Sequence, residues 1–99
     1  MQAVLDGTVL ADADEADVVS IEGNWYFPPE TVTPQALSKS DTPYTCPWKG
    51  RAQYFDVQAA DTRHADAAWS YPEPASSAID RVGRDFSGYV AFDNKVTVR

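Results

Sequence analysis

The sequence is poor in the residues that build disulfides, metal sites and catalytic bases, since it has one cysteine and one histidine. A single cysteine excludes an internal disulfide and a zinc site built on paired cysteines. No apolar stretch approaches the roughly twenty residues of a membrane-spanning helix, and the first residues lack the basic and apolar regions of a signal peptide. We therefore expect a cytoplasmic protein that is neither secreted nor anchored in a membrane.

Basic residues are also scarce, because eight Lys and Arg stand against fifteen Asp and Glu and the net charge is −7. Proteins bind nucleic acid through Lys and Arg that displace counterions from phosphates, so an acidic chain opposes such binding. We expect no nucleic-acid partner. The densest acidic stretch, residues 12–17, lacks the glycine turn of a calcium loop and is expected to be a solvated loop. No metal or other cofactor is expected.

Hydrophobic residues make up 43% of the chain, and twelve of its 99 residues are aromatic. This composition and length predict one compact domain over residues 1–99. Short β-type runs interrupted by turn residues predict three hairpins. They cover residues 4–10 with a turn at Asp6-Gly7, residues 18–27 with a turn at Gly23-Asn24, and residues 89–98 with a turn at Asp93-Asn94.

Helical signals are few and short. Thr33-Pro34 predicts one helical turn over residues 33–37, and residues 76–82, stopped by Gly83, form the best helix candidate. Two further strands are predicted at residues 51–57 and 67–71, joined by a polar connection over residues 59–66. No helix is long enough for repeated βαβ crossovers, so the pattern predicts an all-β, mostly antiparallel domain with one or two short helices.

Reactive side chains concentrate in the run Thr45-Cys46-Pro47-Trp48-Lys49-Gly50. A thiol beside Lys49 is a candidate nucleophile, but its base would have to be His64, which we expect to lie exposed in the polar connection. The interpretation of Cys46 as a buried small hydrophobe is favoured. In extended backbone Cys46 and Trp48 share one face. Lys49 is then expected on the opposite face, exposed unless it meets a carboxylate.

That carboxylate is expected to be Glu73, which a stiff proline on each side would aim with little loss of entropy. Strand alternation puts Trp69 and Tyr71 on one face, which leads up to Glu73, and Tyr26 belongs to a second aromatic edge. If these side chains converge, they form an aromatic cleft suited to a small ring or an extended peptide. The expected ligand-binding residues are Tyr26, Trp48, Lys49, Trp69, Tyr71 and Glu73.

Four blocks of the chain, taken in order, resemble one known family. They are residues 19–29 (VSIEGNWYFPP), 46–50 (CPWKG), 69–74 (WSYPEP) and 88–92 (GYVAF). This succession resembles the domain of unknown function 427 family. The resemblance implies a small, mostly β bacterial domain, similar to tent-like half-barrels or sandwiches of two facing antiparallel sheets.

Two properties associated with such proteins do not carry over to these residues. Structural zinc in the wider architecture sits on paired cysteines, whereas only Cys46 exists here. A nucleotidyltransferase needs carboxylates that hold magnesium and a donor-rich cradle for the triphosphate. Asp12-Ala13-Asp14 is the only candidate pair, and it has neither a glycine-rich partner nor basic neighbours, so we do not interpret it as catalytic.

Three functions remain open from the sequence. The leading hypothesis is a cytoplasmic β-domain that binds a small molecule in the aromatic cleft. The rival is a transferase or hydrolase that uses Cys46 as nucleophile, or Glu73 with Lys49 as an acid–base pair. The third is a protein–protein interaction module built on exposed aromatic side chains. The expected oligomeric state is a monomer or weak homodimer.

Overall fold

The computed structural model describes the whole chain, Met1–Arg99. It contains nine strands, one α-helix and three 3₁₀ turns, which occupy Glu15–Asp17, Pro29–Thr31 and Pro34–Ala36. The strands are β1 (Gln2–Leu5), β2 (Thr8–Asp12), β3 (Val19–Ile21), β4 (Asn24–Tyr26), β5 (Leu37–Cys46), β6 (Gly50–Ala59), β7 (Thr62–Ser70), β8 (Val90–Phe92) and β9 (Thr97–Val98), and the helix is α1 (Ser76–Val82).

All strand pairs are antiparallel, which confirms the predicted fold class. They form three sheets with the orders β2-β1-β9, β3-β4 and β5-β6-β7-β8, where the resemblance implied two. The additional sheet is the small β3-β4 hairpin. A single bridge between Phe27 and Val90 joins it to β8. Helix α1 has seven residues and is too short to cross a membrane.

The first hairpin and the helix form as predicted. Asp6 and Gly7 both have positive φ angles, 50° and 77°, as a two-residue turn between antiparallel strands requires. Helix α1 ends where Gly83 takes the left-handed conformation and its N–H donates to the Ile79 carbonyl at 2.8 Å. The turn predicted at Thr33-Pro34 is the 3₁₀ turn Pro34–Ala36. These three features depend on local signals alone.

The turn of the second hairpin lies one residue earlier than predicted. Glu22 and Gly23 occupy it, with φ angles of 53° and 83°, while Asn24 already pairs with Ile21 in the ladder. Glycine supplies one of the two positive-φ positions, and the register of the strands decides which neighbour supplies the other. The shift puts the carboxylate of Glu22 at the tip of the hairpin.

The predicted hairpin over residues 89–98 is wrong. Strand β8 pairs with β7, whereas β9 pairs with β1 in a different sheet. The Asp93 carboxylate accepts a hydrogen bond from the Lys95 N–H at 2.9 Å, which stabilises a local turn, and the chain then crosses to the first sheet. A turn signal between two apolar runs fixes a bend and leaves the strand partners open.

Two parts of the central sheet were not recognised in the sequence. The predicted polar connection over residues 59–66 is wrong, because β7 already begins at Thr62 and only a tight turn separates it from β6. Strand β5 was not predicted at all, since it is an edge strand with mostly exposed side chains and no apolar alternation. Most side chains of both segments are polar and exposed, so neither segment shows the apolar pattern of a strand.

The four-stranded sheet is covered on both faces, and each face has its own core. One face packs Val57 and Phe92 against Leu10 and Phe27, with ring centroids of Phe27 and Phe92 6.0 Å apart. The other face packs against the β3-β4 hairpin, helix α1 and Phe86. Each fully buried side chain of this size contributes about 1.5–3 kcal/mol of apolar transfer free energy. The second core holds the residues that the sequence singled out.

Candidate functional site

Five of the six residues expected to bind a ligand lie together in the second core: Tyr26, Trp48, Lys49, Trp69 and Tyr71. Residues 47–49 form the turn between β5 and β6, so strand alternation does not apply to them. The prediction that Lys49 lies on the face opposite Trp48 is therefore wrong, and its exposure was expected only if it met no carboxylate. Lys49 is only 5% exposed, and its ammonium lies 5.0 Å from the centroid of the Trp48 ring.

The ammonium of Lys49 sits in a cage of two rings and one carboxylate. Its Nζ lies 5.1 Å from the centroid of Tyr71, besides the contact with Trp48, and donates a hydrogen bond to Oε1 of Glu22. Cation–π contacts of this kind contribute about 0.5–2 kcal/mol according to desolvation. The partner of Lys49 is thus Glu22, and the expected pairing with Glu73 is wrong.

The ion pair shifts both groups toward their charged forms. The hydrogen bond from Lys49 holds the pKa of Glu22 below its ordinary value. Burial acts to lower the pKa of Lys49, but the hydrogen bond to Glu22 and the neighbouring acidic groups outweigh it, and the pKa lies above its ordinary value. Glu22 keeps 55% of its side chain exposed, so the pair lies at the edge of the core.

A second cation lies against the same indole. The guanidinium carbon of Arg81, on helix α1, is 4.4 Å from the centroid of Trp48. Its charge also contributes to the lowered pKa of Glu22. Trp48 therefore ties the helix, the β5-β6 turn and the tip of the β3-β4 hairpin together through one aromatic ring.

Behind the cage, Tyr26, Tyr71 and Phe86 pack as a triangle with centroid separations of 6.2–6.5 Å. The Trp69 indole N–H donates to the Tyr26 hydroxyl at 3.1 Å. Burial raises the pKa of both tyrosines. Tyr26 and Tyr71 are 1% and 3% exposed, and neither residue lines a groove or cavity.

Cys46 is buried in the same core and has no base beside it. It pairs with Gly50 at one end of β6, whereas His64 pairs with Val57, seven residues along that strand. At about 3.3 Å per residue this separates the two residues by about 23 Å along the strand direction. A Cys–His catalytic pair is therefore excluded by the strand register.

His64 is not exposed as predicted. Its side chain is 18% exposed, and its Nε2 lies 3.6 Å from a carboxylate oxygen of Asp6. The two residues join the β1-β2 turn to the β6-β7 hairpin, where the Ala60 N–H also donates to the Thr8 hydroxyl at 3.1 Å. His64 thus belongs to a contact between two hairpins, far from residues 45–50.

Open space lies beside the aromatic core, at the start of β6. Two grooves, of about 220 and 280 Å³, share Arg51, Ala52 and Gln53 as lining residues. Pro72 and Glu73 complete the first groove, and residues 40–45 of the edge strand β5 complete the second. We refer to the two together as the β6 groove. Glu73, the sixth expected binding residue, belongs to it.

The aromatic core supports one wall of this groove. The Ala75 N–H donates to the Lys49 carbonyl at 3.0 Å, so the proline-rich segment 72–75 rests on the β5-β6 turn. Gly50 has a φ of 113°, and a Cβ at that position would lie 3.5 Å from the Glu73 carbonyl. The 3.5 Å distance is an ordinary contact, so it is the positive φ that favours glycine here. The floor is fixed by the Gln53 amide, which donates to the Ser40 and Tyr54 carbonyls at 3.0 and 2.8 Å.

Four residues of these two neighbouring regions were missed in the sequence: Glu22, Arg51, Gln53 and Arg81. Glu22 is 27 residues from Lys49 along the chain, and it stands in a turn where acidic residues are ordinary. No local pattern distinguishes a turn carboxylate that meets a buried ammonium from one that meets water. No group of three or more His, Cys, Asp or Glu is placed to hold a metal ion.

The fold and the site define a class of small antiparallel β-domain with a closed, cation-containing aromatic core beside an open polar groove. The chain belongs to the family described as Domain of unknown function (DUF427), whose model matches residues 1–99. This confirms the family expected from the four sequence blocks. A search among curated proteins finds no match.

Proposed function

We propose that the chain is a cytoplasmic domain that binds a small polar molecule in the β6 groove. The observation that carries the proposal is that two grooves, of about 220 and 280 Å³, share Arg51, Ala52 and Gln53 as lining residues. Each groove is somewhat smaller than a typical ligand pocket of about 300–1,000 Å³, which suits a small ligand.

The aromatic residues are assigned a supporting role in this proposal. Glu73 contacts the ligand, whereas Trp48, Lys49 and Tyr71 hold the segment that carries Glu73 through the Ala75–Lys49 backbone hydrogen bond. Tyr26 and Trp69 pack behind them. A rigid wall lowers the conformational entropy that binding would otherwise cost.

The composition of the groove favours a small ligand over a macromolecule. Arg51 is the one basic residue that lines it, and a phosphate backbone is bound by several Lys and Arg together. We propose that the chain works as a monomer without a nucleic-acid partner. The single buried free cysteine suits the reducing cytoplasm.

The test is a titration of the ¹⁵N-labelled chain with a panel of amino acids, sugars, nucleosides and carboxylic acids, followed by backbone amide shifts. Shifts at residues 40–45, 51–53 and 72–73 are expected for at least one compound. Thr45→Trp fills the groove from its exposed wall and is expected to abolish them. Thr62→Trp, the same change at an exposed strand position outside the groove, serves as the matched control.

Two results would overturn the proposal. One is a set of shifts that maps away from the groove in every positive titration. The other is binding that Thr45→Trp and Thr62→Trp weaken equally, since a specific groove must respond to the first substitution alone.

A further inference from the structure

The first part of the β6 groove carries two charges of opposite sign that are not paired with each other. Arg51 and Glu73 line the first part of the groove, and all five ion pairs of the chain involve other residues. Neither side chain donates or accepts a hydrogen bond within the protein. Both residues thus line one small open space, and the guanidinium and the carboxylate have no hydrogen-bond partner within the protein.

We propose that the ligand is a small zwitterion of the amino-acid type, with its carboxylate on Arg51 and its ammonium on Glu73. This inference rests on the proposed function of the groove. The planar guanidinium presents N–H donors in a fork that matches a carboxylate with two parallel hydrogen bonds. The Glu73 carboxylate accepts hydrogen bonds from an ammonium group.

A ligand with only one charge matches the groove less well. Once a ligand excludes water, a groove charge that meets no partner loses hydration without compensation. A carboxylic acid leaves Glu73 in that state, and an amine leaves Arg51. Only a molecule that carries both charges pairs with both Arg51 and Glu73. The two residues together therefore discriminate a zwitterion from a ligand with one charge.

The position of Glu73 is fixed before any ligand arrives. Pro72 and Pro74 restrict its backbone, and the hydrogen bond from Ala75 to Lys49 holds the segment against the β5-β6 turn. The first part of the groove, at about 220 Å³, is smaller than the pockets of drug-sized ligands. Size and preorganisation therefore both favour a compact ligand.

The test uses four probes of nearly equal shape on the intact ¹⁵N-labelled chain. L-valine carries both charges, isovalerate lacks the ammonium, isobutylamine lacks the carboxylate, and isobutanol has neither. L-valine is expected to bind at least about tenfold more tightly than each of the others, as measured by shifts of the groove amides. A tenfold ratio corresponds to about 1.4 kcal/mol.

Two neutralising substitutions test which residue binds each charged group of L-valine. Arg51→Gln is expected to reduce the affinity for L-valine to that for isobutylamine, and Glu73→Gln to that for isovalerate. Lys39→Gln and Asp61→Asn are the matched controls, because both residues are exposed and neither lines the β6 groove. Each is expected to leave the affinity of L-valine relative to the other probes unchanged. All four side chains lie at the surface, and the amide spectrum of each variant reports its fold.

The outcomes separate this inference from the proposed function. If isobutanol binds in the groove as tightly as L-valine, or if a different compound of the panel binds there and L-valine does not, the zwitterion is refuted and the groove stands. Asp41 is the other carboxylate that lines the β6 groove. An affinity ratio that Asp41→Asn lowers and Glu73→Gln does not would also refute the assignment. Binding away from residues 40–45, 51–53 and 72–73 refutes the proposed function itself.

Discussion

Glutamine in place of Glu22 is expected to destabilise the protein more than methionine in place of Lys49, although the two changes break the same ion pair. Lys49 is only 5% exposed, and Glu22→Gln removes the anion that its ammonium contacts. Lys49→Met leaves a carboxylate whose side chain is 55% exposed and simply rehydrates. The asymmetry follows from burial, because an orphaned charge costs free energy only where water cannot reach it.

The magnitudes follow from the contacts of each group. Removal of one partner of a fully buried pair costs about 3–5 kcal/mol, and the half-exposed position of Glu22 reduces this to about 2 kcal/mol. Lys49→Met loses cation–π contacts with two rings, about 0.5–2 kcal/mol. The thioether regains about 0.3–1.5 kcal/mol from the same rings, so the net cost is at most about 1.7 kcal/mol and stays below that of Glu22→Gln.

The assay is urea denaturation at pH 7 followed by tryptophan fluorescence, with thermal unfolding alongside. For a domain of this size, about 2 kcal/mol lowers the Tm by about 8–16 °C. Glu30→Gln is the matched control, since Glu30 is an exposed carboxylate with no ion pair or hydrogen bond, and it is expected to change little. A Lys49→Met variant less stable than Glu22→Gln would refute the reasoning.

The pH dependence gives an independent check. The pKa of Glu22 is lower in the folded chain than its ordinary value of 4.5. Its stabilising contribution is therefore present above about pH 4.5 and is lost as the pH falls through the lower folded pKa. The stability difference between the wild type and Glu22→Gln should narrow on acidification. A difference that is constant from pH 7 to pH 3 would contradict the ion pair as its source.

Three further predictions concern the same core. Burial raises the pKa of Tyr71, so the free energy of unfolding should fall above about pH 10, by up to about 1.4 kcal/mol per pH unit and per proton. In Tyr71→Phe, the urea midpoint should therefore fall less steeply between pH 9 and pH 11. Gly50→Ala forces a φ of 113° on an L side chain and should cost about 1–3 kcal/mol in urea unfolding, and an unchanged midpoint would contradict this. Cys46 is 7% exposed, so iodoacetamide should label the native chain no faster than it opens, and rapid stoichiometric labelling would revive the nucleophile hypothesis.

The parts of the fold that were predicted correctly depend on neighbours in the chain. Asp6-Gly7 forms its turn because two adjacent residues accept positive φ, and Gly83 ends α1 because it alone takes the left-handed conformation there. Strand β5 was not predicted, and neither were the true partners of β8, which pairs with β7, and of β9, which pairs with β1. Edge strands lack an apolar pattern, and strand partners are set by contacts distant in sequence.

The candidate site shows the same division. Tyr26, Trp48 and Tyr71 were singled out from their residue types, and the structure brings them together in one core. The turn at residues 47–49 reversed the expected side of Lys49, because alternation holds only within a strand. Its partner Glu22 comes from another sheet, so no spacing rule connects the two.

By itself, the sequence determined an antiparallel β-domain of a recognisable family, its local turns and the residues of an aromatic core. Composition, turn residues and short apolar runs act over a few neighbouring positions, and they are sufficient for those features. The tertiary structure decided which strands pair, that Lys49 is caged and bound to Glu22, and that the open groove lies between Arg51 and Glu73. These depend on the packing of segments far apart in the chain, which sets burial and therefore the free energy of every charge.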